Sequence, residues 1–313
     1  MARYRYLFAL IVFLPALLAG CDGQVEETGP VEFVRSWGSK GSGDGQFLYI
    51  EDMAFDGQGR LLVTDALRSD VQVFTPVGRF VSKFGGKGKH PGNLVKPEGI
   101  AIDAGGNIYI SDYLSGHIEK YAADFSHLLS FSSLGSAPGQ TLEAEFMTIA
   151  SNGLLYVAEA GNHRVSAFSQ DGEFRFVIGG EGVYPGKFIR PEDVSFDGTD
   201  RLYVSDFGNH RVQVFGLDGE YLATIGKQGT GQGEFRRPLG IAFDNSGRFY
   251  VCDVANNRVQ IFDKSGEFIS SWGSKGSRPG EFSNLHGIVV AENGEIYVAD
   301  SGNNRIQVFR LRQ

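Results

Sequence analysis

Short apolar segments alternate with glycine-, asparagine- and aspartate-rich breaks along the chain after residue 30. In the clearest copy, residues 201–226, three segments of four or five residues are rich in β-branched and aromatic side chains. Segments of this length are typical of strands, and the Gly/Asn/Asp breaks between them are typical of hairpins. The pattern therefore predicts three consecutive antiparallel strands in this copy.

This pattern recurs every 47 residues without an insertion. An acidic residue closes one strand of each copy at Asp65, Asp112, Glu159, Asp206, Asp253 and Asp300. An aromatic residue closes the next strand at Phe74, Tyr121, Phe168, Phe215, Phe262 and Phe309. A period in the forties with several short strands per unit is typical of a propeller blade. We therefore predict an all-β fold, a six-bladed β-propeller of four-stranded antiparallel blades.

The sixth copy lacks a fourth strand, because the chain ends soon after Phe309. The segment from Phe33 to Gly38 (FVRSWG) resembles the outer strand from Phe268 to Gly273 (FISSWG) of the preceding copy. We therefore expect the N-terminal segment to complete the last blade, which would close the ring and cover two sheet edges. Residues 31–313 are predicted to form this single domain.

The repeat resembles the NHL repeat family. The matching features are Pro191, Val194, Phe196, Gly198, the run from Tyr203 to Asp206, Asn209, and the run from Arg211 to Phe215. The resemblance covers essentially all of residues 31–313 and implies the propeller fold. It implies no single function, because the family includes protein-binding, RNA-binding and enzymatic members.

The first thirty residues predict export and a lipid anchor. Arg3 and Arg5 precede an apolar run, and residues 1–20 are typical of a signal peptide. Residues 18–21 (LAGC) resemble the lipobox of bacterial lipoproteins, which implies cleavage before Cys21 and lipidation of its sulfur. An ordinary secretory signal is the alternative interpretation.

Residues 21–30 are then the lipidated cysteine and a polar tether. The expected location is extracytoplasmic, on a bacterial membrane. Asp22 resembles the signal that retains lipoproteins in the inner membrane, so the inner membrane is favoured. The chain contains two cysteines and therefore no disulfide framework. Its formal net charge of −8 and the export signal argue against a nucleic-acid partner.

The repeated acidic residues are accompanied by a column of arginines, namely Arg164, Arg211, Arg258 and Arg305. A carboxylate and a guanidinium in most units would satisfy backbone groups of the loops and tie adjacent turns together. We interpret both columns as structural. Asp70 and His117 interrupt the arginine column in the first two units, and Arg68 is a candidate substitute in the first.

Candidate binding residues lie where the repeats differ. The long loops before each unit are rich in cations, among them Lys87, Lys89, Arg236 and Arg237, and would attract an anionic partner. The residue that begins the innermost strand is Glu51, Glu98, Glu145, Glu192, Leu239 or His286 in successive units. Four carboxylates around one channel would repel one another, which would raise their pKa values or recruit a divalent ion. Structural hydrogen bonds to neighbouring blades are the alternative role.

A metal site is a second hypothesis. His163 and His210 are expected at the same end of the channel as His286 and Glu192, and such a set could hold Zn or Ca. Peptide-amidating lyases resemble these propellers and bind zinc through histidines at the channel. His286 occupies the place of one such histidine, but Leu285 replaces the family's proline, and the other units carry Glu or Leu.

Two functions follow from these observations. The first is a binding or scaffold module that takes a protein, a peptide or an envelope glycan on its loop face. The second is a metal-dependent lyase or hydrolase at the channel mouth. No Ser/His/Asp or Cys/His arrangement typical of other hydrolases is evident in the sequence.

Overall fold

Four antiparallel strands form each of six sheets in the computed structural model, which describes residues 29–88 and 90–312. The sheets are the blades of a six-bladed β-propeller, so the predicted fold class is confirmed. Within the first five blades the innermost strand comes first in the chain, and the following strands lie progressively further from the channel. None of the helical turns in the described part of the chain is long and apolar enough to span a membrane.

The first three blades are built from consecutive strands. Blade 1 contains β2 (Ile50–Phe55), β3 (Leu61–Asp65), β4 (Asp70–Phe74) and β5 (Phe80–Gly85). Blade 2 contains β6 (Pro97–Ile102), β7 (Ile108–Asp112), β8 (Ile118–Tyr121) and β9 (His127–Phe131). Blade 3 contains β10 (Ala144–Ile149), β11 (Leu155–Glu159), β12 (Arg164–Phe168) and β13 (Phe174–Gly179).

The remaining blades follow the same order, except that the last one takes its outer strand from the N-terminal side. Blade 4 contains β14 (Pro191–Phe196), β15 (Arg201–Asp206), β16 (Arg211–Gly216) and β17 (Tyr221–Ile225). Blade 5 contains β18 (Pro238–Phe243), β19 (Phe249–Asp253), β20 (Arg258–Phe262) and β21 (Phe268–Trp272). Blade 6 contains β22 (Leu285–Val290), β23 (Glu295–Asp300), β24 (Arg305–Leu311) and β1 (Val31–Trp37).

Strand β1 closes the ring as the sequence predicts. It pairs antiparallel with β24, and it begins two residues earlier than the segment from Phe33 that the repeat indicates. The guanidinium of Arg35 donates to both carboxylate oxygens of Glu295 at 2.9 and 2.7 Å and to the carbonyl of Pro76 at 2.7 Å. Because Glu295 belongs to blade 6 and Pro76 to blade 1, this side chain joins the first and last blades.

Apolar packing between blades follows the repeat. The second and third strands of the blades are almost fully buried, which explains their continuous apolar runs. A phenylalanine from the loop before a blade packs against the aromatic residue that closes its third strand, with ring centroids 5.4–5.8 Å apart. These pairs are Phe47–Phe74, Phe188–Phe215, Phe235–Phe262 and Phe282–Phe309. The equally buried Cys252 belongs to this packing, and burial raises the pKa of its thiol.

The acidic and arginine columns have the structural role expected of them. In blade 4, Asp206 accepts hydrogen bonds from the backbone N–H of Ile189 and from the side chains of Asn209 and Arg211, at 2.8–3.0 Å. Arg211 also donates to the carbonyls of two residues in the preceding loop at 3.0 Å. Each such pair therefore fixes the loop in front of its own blade.

Blade 1 keeps this connection by a different residue. Arg68 donates to both carboxylate oxygens of Asp70 at 3.0 and 2.8 Å and to the carbonyl of Gly43 in the preceding loop at 2.9 Å. Arg68 thus replaces the missing arginine of the column, as the sequence indicates. Blade 2, where His117 interrupts the column, has no such replacement among the described residues.

Candidate functional site

A cavity of about 700 Å³ lies at the mouth of the central channel, on the face that carries the long loops. We call it the mouth cavity. Its lining combines carboxylates, cations and aromatic or aliphatic side chains. The lining includes Tyr49, Glu51, Lys96, Glu98, Tyr113, Glu145, Phe146, Arg190, Glu192, Phe207, Arg237, Leu239, Val254, Lys275, Asn284 and His286.

The repeat places the four glutamates at the mouth. Glu51, Glu98, Glu145 and Glu192 are each the second residue of the innermost strand of a blade. In every blade the pairing of this strand with its neighbour shifts its register at this point. Such an irregularity bends a strand and re-aims the side chain next to it, here towards the channel. The four side chains are nevertheless buried, with 2–8% of their surface exposed.

His286 occupies the equivalent place in blade 6. Its Nδ1 lies 2.6 Å from Oε2 of Glu51, and its Nε2 lies 3.1 Å from the amide nitrogen of Asn284. The tautomer that carries its proton on Nδ1 satisfies both contacts, since Asn284 can then donate to Nε2. Burial lowers the pKa of His286 and raises the pKa of Glu51 to about 8. The imidazole is therefore neutral at physiological pH.

Two cations serve the four carboxyl groups. Lys96 Nζ lies 2.6 Å from Oε1 of Glu98. Arg190 lies 3.9 Å from Glu145 and 3.6 Å from Glu192, while its shortest ion pair is with Glu143 at 2.6 Å. Burial raises the pKa values of Glu98 and Glu145 well above the ordinary range and raises that of Glu192 as well. Bound protons therefore neutralise part of the negative charge on the four glutamates that Lys96 and Arg190 do not balance.

The other side of the mouth cavity is apolar and carries cations without acidic partners. Phe146, Leu239 and Val254 form a buried cluster against which Phe207 packs. The guanidinium of Arg237 lies over the ring of Phe207, with its carbon 5.5 Å from the centroid. Within the described residues, neither Arg237 nor Lys275, which also lines the cavity, forms an ion pair. This side therefore offers an apolar wall and a positive edge.

The structure assembles some of the residues predicted from the sequence and separates others. Glu51, Glu98, Glu145, Glu192, His286 and Arg237 all line the mouth cavity. Lys87 and Arg236 are exposed and lie outside its lining, and the backbone N–H of Arg236 donates to Asp253. Lys89 and Cys21 lie outside the described residues.

Sequence reasoning missed the aromatic and aliphatic part of the lining. Phe146 had a usable signal, because the same position of the other innermost strands holds only Asp or Gly. Tyr113 and Val254 had none, since each follows the acidic residue that ends a strand and varies freely between blades. Their approach to the channel depends on the path of the loops.

The predicted metal set of His286, His163, His210 and Glu192 is not assembled by this geometry. His163 Nδ1 accepts the backbone N–H of Arg190, and His210 Nδ1 accepts that of Arg237, each at 3.0 Å. Among residues 29–88 and 90–312, no group of three or more His, Cys, Asp or Glu side chains is arranged to hold a metal ion. The zinc site implied by the resemblance to amidating lyases therefore does not fit these residues.

These observations define a class of protein, a six-bladed propeller with a cavity at its channel mouth that is lined by carboxyl groups on one side and by apolar side chains on the other. A family model described as a 6-bladed β-propeller (DUF5128) matches residues 55–138 and 240–313. This match covers just over half of the chain, so the chain belongs to this six-bladed β-propeller family. An NHL repeat model also matches residues 188–215, which supports the resemblance inferred from the sequence.

Solved structures share the fold at low sequence identity. A Bacteroides thetaiotaomicron protein of unknown function has a TM-score of 0.70 and 18% identity, over 90% of this chain and 76% of its own. A gluconolactonase from Xanthomonas campestris has a TM-score of 0.65 and 14% identity, over 86% and 88% of the two chains. Virginiamycin B lyase from Staphylococcus aureus has a TM-score of 0.60 and 12% identity, over 88% and 95%. None of the curated proteins matches the sequence.

Proposed function

We propose that this protein is a membrane-anchored, extracytoplasmic propeller that binds the carboxylate-bearing end of a peptide or envelope glycan in its mouth cavity. The observation that carries the proposal is the mouth cavity itself, with buried carboxyl groups on one side and, on the other, cations that pair with no acidic side chain in the described part of the chain. Its volume of about 700 Å³ lies within the range typical of small-ligand sites.

The glutamates of the mouth cavity have no evident structural task. No backbone N–H of the described residues donates to Glu51, Glu98, Glu145 or Glu192, whereas backbone groups donate to the acidic residues that end the second strands. Burying carboxyl groups without such donors destabilises a protein, and strongly shifted pKa values are typical of functional sites. Their presence is therefore best explained by a ligand.

Backbone strain supports the same conclusion. The residue before the innermost strand has a positive φ at Glu143 (51°), Arg190 (53°), Arg237 (61°) and Asn284 (51°). Side chains rarely adopt this conformation, which costs about 1–3 kcal/mol and is concentrated at functional sites. At Arg190 and Arg237 it places long cationic side chains beside the channel.

Each side of the mouth cavity favours one part of the ligand. Arg237 and Lys275 would pair with a carboxylate, and the wall formed by Phe146 and Leu239 would cover an apolar body. The carboxyl groups opposite would accept hydrogen bonds from hydroxyl or ammonium groups. A peptide C-terminus and a sugar acid both have this chemistry.

The location is part of the proposal and rests on the sequence of residues 1–30. Replacing Cys21 by Ser should abolish incorporation of radiolabelled palmitate and release the protein from the membrane fraction. A Cys21→Ser protein that still labels with palmitate would contradict the lipid anchor.

Binding is tested by calorimetry on the detergent-solubilised full chain. The probes are short peptides with a free or amidated C-terminus and oligosaccharides with or without a uronic acid. Arg237→Gln should weaken binding of the free acids by about tenfold or more, since one charge-assisted hydrogen bond is lost. Arg236→Gln is the matched control, because the neighbouring arginine lies outside the lining, and should leave affinity unchanged. Equal effects of the two substitutions, or equal binding of acids and their neutral forms, would contradict the proposal.

A second candidate function is a lyase or hydrolase at the same place. The observation that favours it is the contact between His286 and Glu51, because a carboxyl group that orients an imidazole is the arrangement of a general base. Two proteins of the same fold are a gluconolactonase and a virginiamycin B lyase, so lactones and cyclic depsipeptides are the substrates to assay. Turnover that is lost in His286→Ala would establish this activity, and turnover that survives would exclude His286 as the base.

A further inference from the structure

Five of the six blades hold a guanidinium group in one recurring place. In blade 5, Arg258 donates from Nε to Asp253 at 2.8 Å and from a terminal nitrogen to the carbonyls of Gly231 and Glu234 at 2.7 and 2.8 Å. Arg164, Arg211 and Arg305 repeat these contacts in blades 3, 4 and 6, and Arg68 reaches the corresponding loop in blade 1. A second donor, Gln260 in blade 5, also donates to the carbonyl of Glu234, at 2.8 Å.

Blade 2 lacks both donors. The repeat places His117 where the arginine stands and Glu119 where the glutamine stands. The carboxylate of Asp112 is still there, and its donors among the described residues are all backbone N–H groups, those of Val95, Lys96, Leu114 and Ser115. In the described part of the chain, no side chain donates to the carbonyl of Asn93, which corresponds to the carbonyl of Glu234. The acceptors of the recurring place therefore remain while its donors are missing.

A cavity of about 350 Å³ lies at this position, lined by Gly88, Asn93, Ser115, His117 and Glu119, among others. We call it the blade-2 socket. The Glu119 side chain is buried and approaches Nε2 of His127 at 2.8 Å, while His117 Nδ1 is 3.6 Å from its other oxygen. The glutamine of the repeat, a neutral donor, is thus replaced by the carboxyl group of Glu119, an acceptor that lines the socket.

We propose that the blade-2 socket binds the guanidinium group of an arginine side chain from a peptide or protein partner. Blades 3 to 6 show which group these acceptors fit, because in each of them a guanidinium pairs with the acidic residue of the column and donates to the carbonyls of the preceding loop. Its planar fork of donors can reach a carboxylate and loop carbonyls together, which a single ammonium group does less well. This site is separate from the mouth cavity and does not depend on the function proposed for it.

The position of the socket suits a partner that covers the loop face. Two residues of blade 2 line the mouth cavity, Tyr113 and Lys96. Tyr113 directly follows Asp112, and Lys96 directly follows Val95. A chain bound at the mouth would therefore pass close to blade 2. The arginine would anchor it on blade 2, where the lining offers the carboxylate of Glu119 and the loop residue Asn93.

The test uses three probes, the N-acetyl amides of arginine, citrulline and lysine, in calorimetry on the detergent-solubilised full chain. The arginine probe should bind about tenfold or more tightly than the citrulline probe, which has the same shape without the charge. His117→Arg combined with Glu119→Gln restores the repeat. This variant should lose the binding and unfold at a higher temperature, because its own arginine fills the socket.

Two further variants keep the test decisive. Arg258→Ala empties the corresponding place in blade 5 and should create a second site for the arginine probe, with a partial recovery of thermal stability when the probe is added. Lys89→Ala controls for the neighbouring lysine, which lies outside the described residues, and should leave the affinity unchanged. Equal binding of arginine and citrulline, binding that persists in His117→Arg/Glu119→Gln, or binding found only in Lys89→Ala would each overturn the proposal.

Discussion

Two sets of buried acidic residues lie at the loop end of this propeller, and they differ in position and in the donors that surround them. The outer set ends the second strands and includes Asp206, Asp253 and Asp300, and the inner set surrounds the channel with Glu51, Glu98, Glu145 and Glu192. Each of the three named outer carboxylates has an arginine, an asparagine and a backbone N–H of its own. Of the inner four, Glu98 pairs with Lys96, Glu145 and Glu192 share Arg190, and Glu51 contacts His286. Burial of an acid thus indicates function only where its donors are too few.

The pKa values follow this difference. Burial raises the pKa of Asp206, but the hydrogen bonds from Asn209, Ile189 and Arg211 act in the opposite direction. At Glu51, burial is opposed by fewer groups, and the pKa rises to about 8. The hydrogen bonds thus limit the rise in the pKa of Asp206, whereas Glu51, with a pKa of about 8, can exchange a proton near neutral pH.

The largest effect is expected from removing an outer carboxylate. Asp253→Ala should lower the free energy of unfolding by about 3–5 kcal/mol, because Arg258, Asn256 and the backbone N–H of Arg236 lose a buried acceptor. Urea denaturation followed by tryptophan fluorescence measures the change. Glu192→Gln is the control from the inner set, and a loss of stability as large as that of Asp253→Ala would remove the distinction between the sets.

The next effect concerns the dependence of stability on pH. Because the folded-state pKa of Glu51 is raised to about 8, its contribution to stability is complete below about pH 4.5 and is lost as the pH rises towards 8. Glu51→Gln removes this slope. Relative to the wild type, the variant should gain about 4 kcal/mol in the free energy of unfolding between pH 5 and pH 8.5.

A matched control has the opposite sign. The hydrogen bonds from Arg35 lower the pKa of Glu295 to about 2, so its contribution is present above about pH 4.5 and is lost as the pH falls towards 2. Glu295→Gln should therefore reduce stability at neutral pH and flatten the acid side of the curve. If Glu51→Gln and Glu295→Gln changed the curve in the same direction, the assignment of the two environments would be wrong.

The sequence carries nearly all of the fold and about half of the candidate site. The period of 47 residues and the likeness of residues 33–38 to an outer strand were sufficient for the blades and the closure, because each repeated side chain makes a local contact. The four glutamates could be predicted from the sequence, because one position of the repeat holds Glu in four units and Leu or His in the other two. The different positions of Arg236 and Arg237 could not be predicted. Only Arg237 lines the mouth cavity, because the backbone turns at this residue with φ 61°, and no pattern in the sequence marks this turn.

The smallest effect on stability is expected from replacing His163 and His210, which the sequence predicted as metal ligands and which the structure places in turns. His163 and His210 have φ values of 53° and 58°, and Asn257 and Asn304 occupy the same place in the next two blades at 53°. Asparagine tolerates this conformation and can accept a hydrogen bond from a neighbouring N–H, as both histidine rings do. His163→Asn and His210→Asn should therefore change the free energy of unfolding by less than about 0.5 kcal/mol.

These variants should also leave the binding of the acidic peptide probes unchanged, with Arg237→Gln as the positive control. His163→Leu, which removes the acceptor for the N–H of Arg190, should cost about 1 kcal/mol and so separates the loss of the hydrogen bond from the loss of the imidazole. If the histidines were ligands of Zn or Ca, the asparagine variants would lower the metal content of the purified protein, and plasma mass spectrometry would detect that change. If metal content and peptide binding are both unchanged, His163 and His210 take no part in binding. The ligand is then bound by the glutamates, His286 and the cations of the mouth cavity.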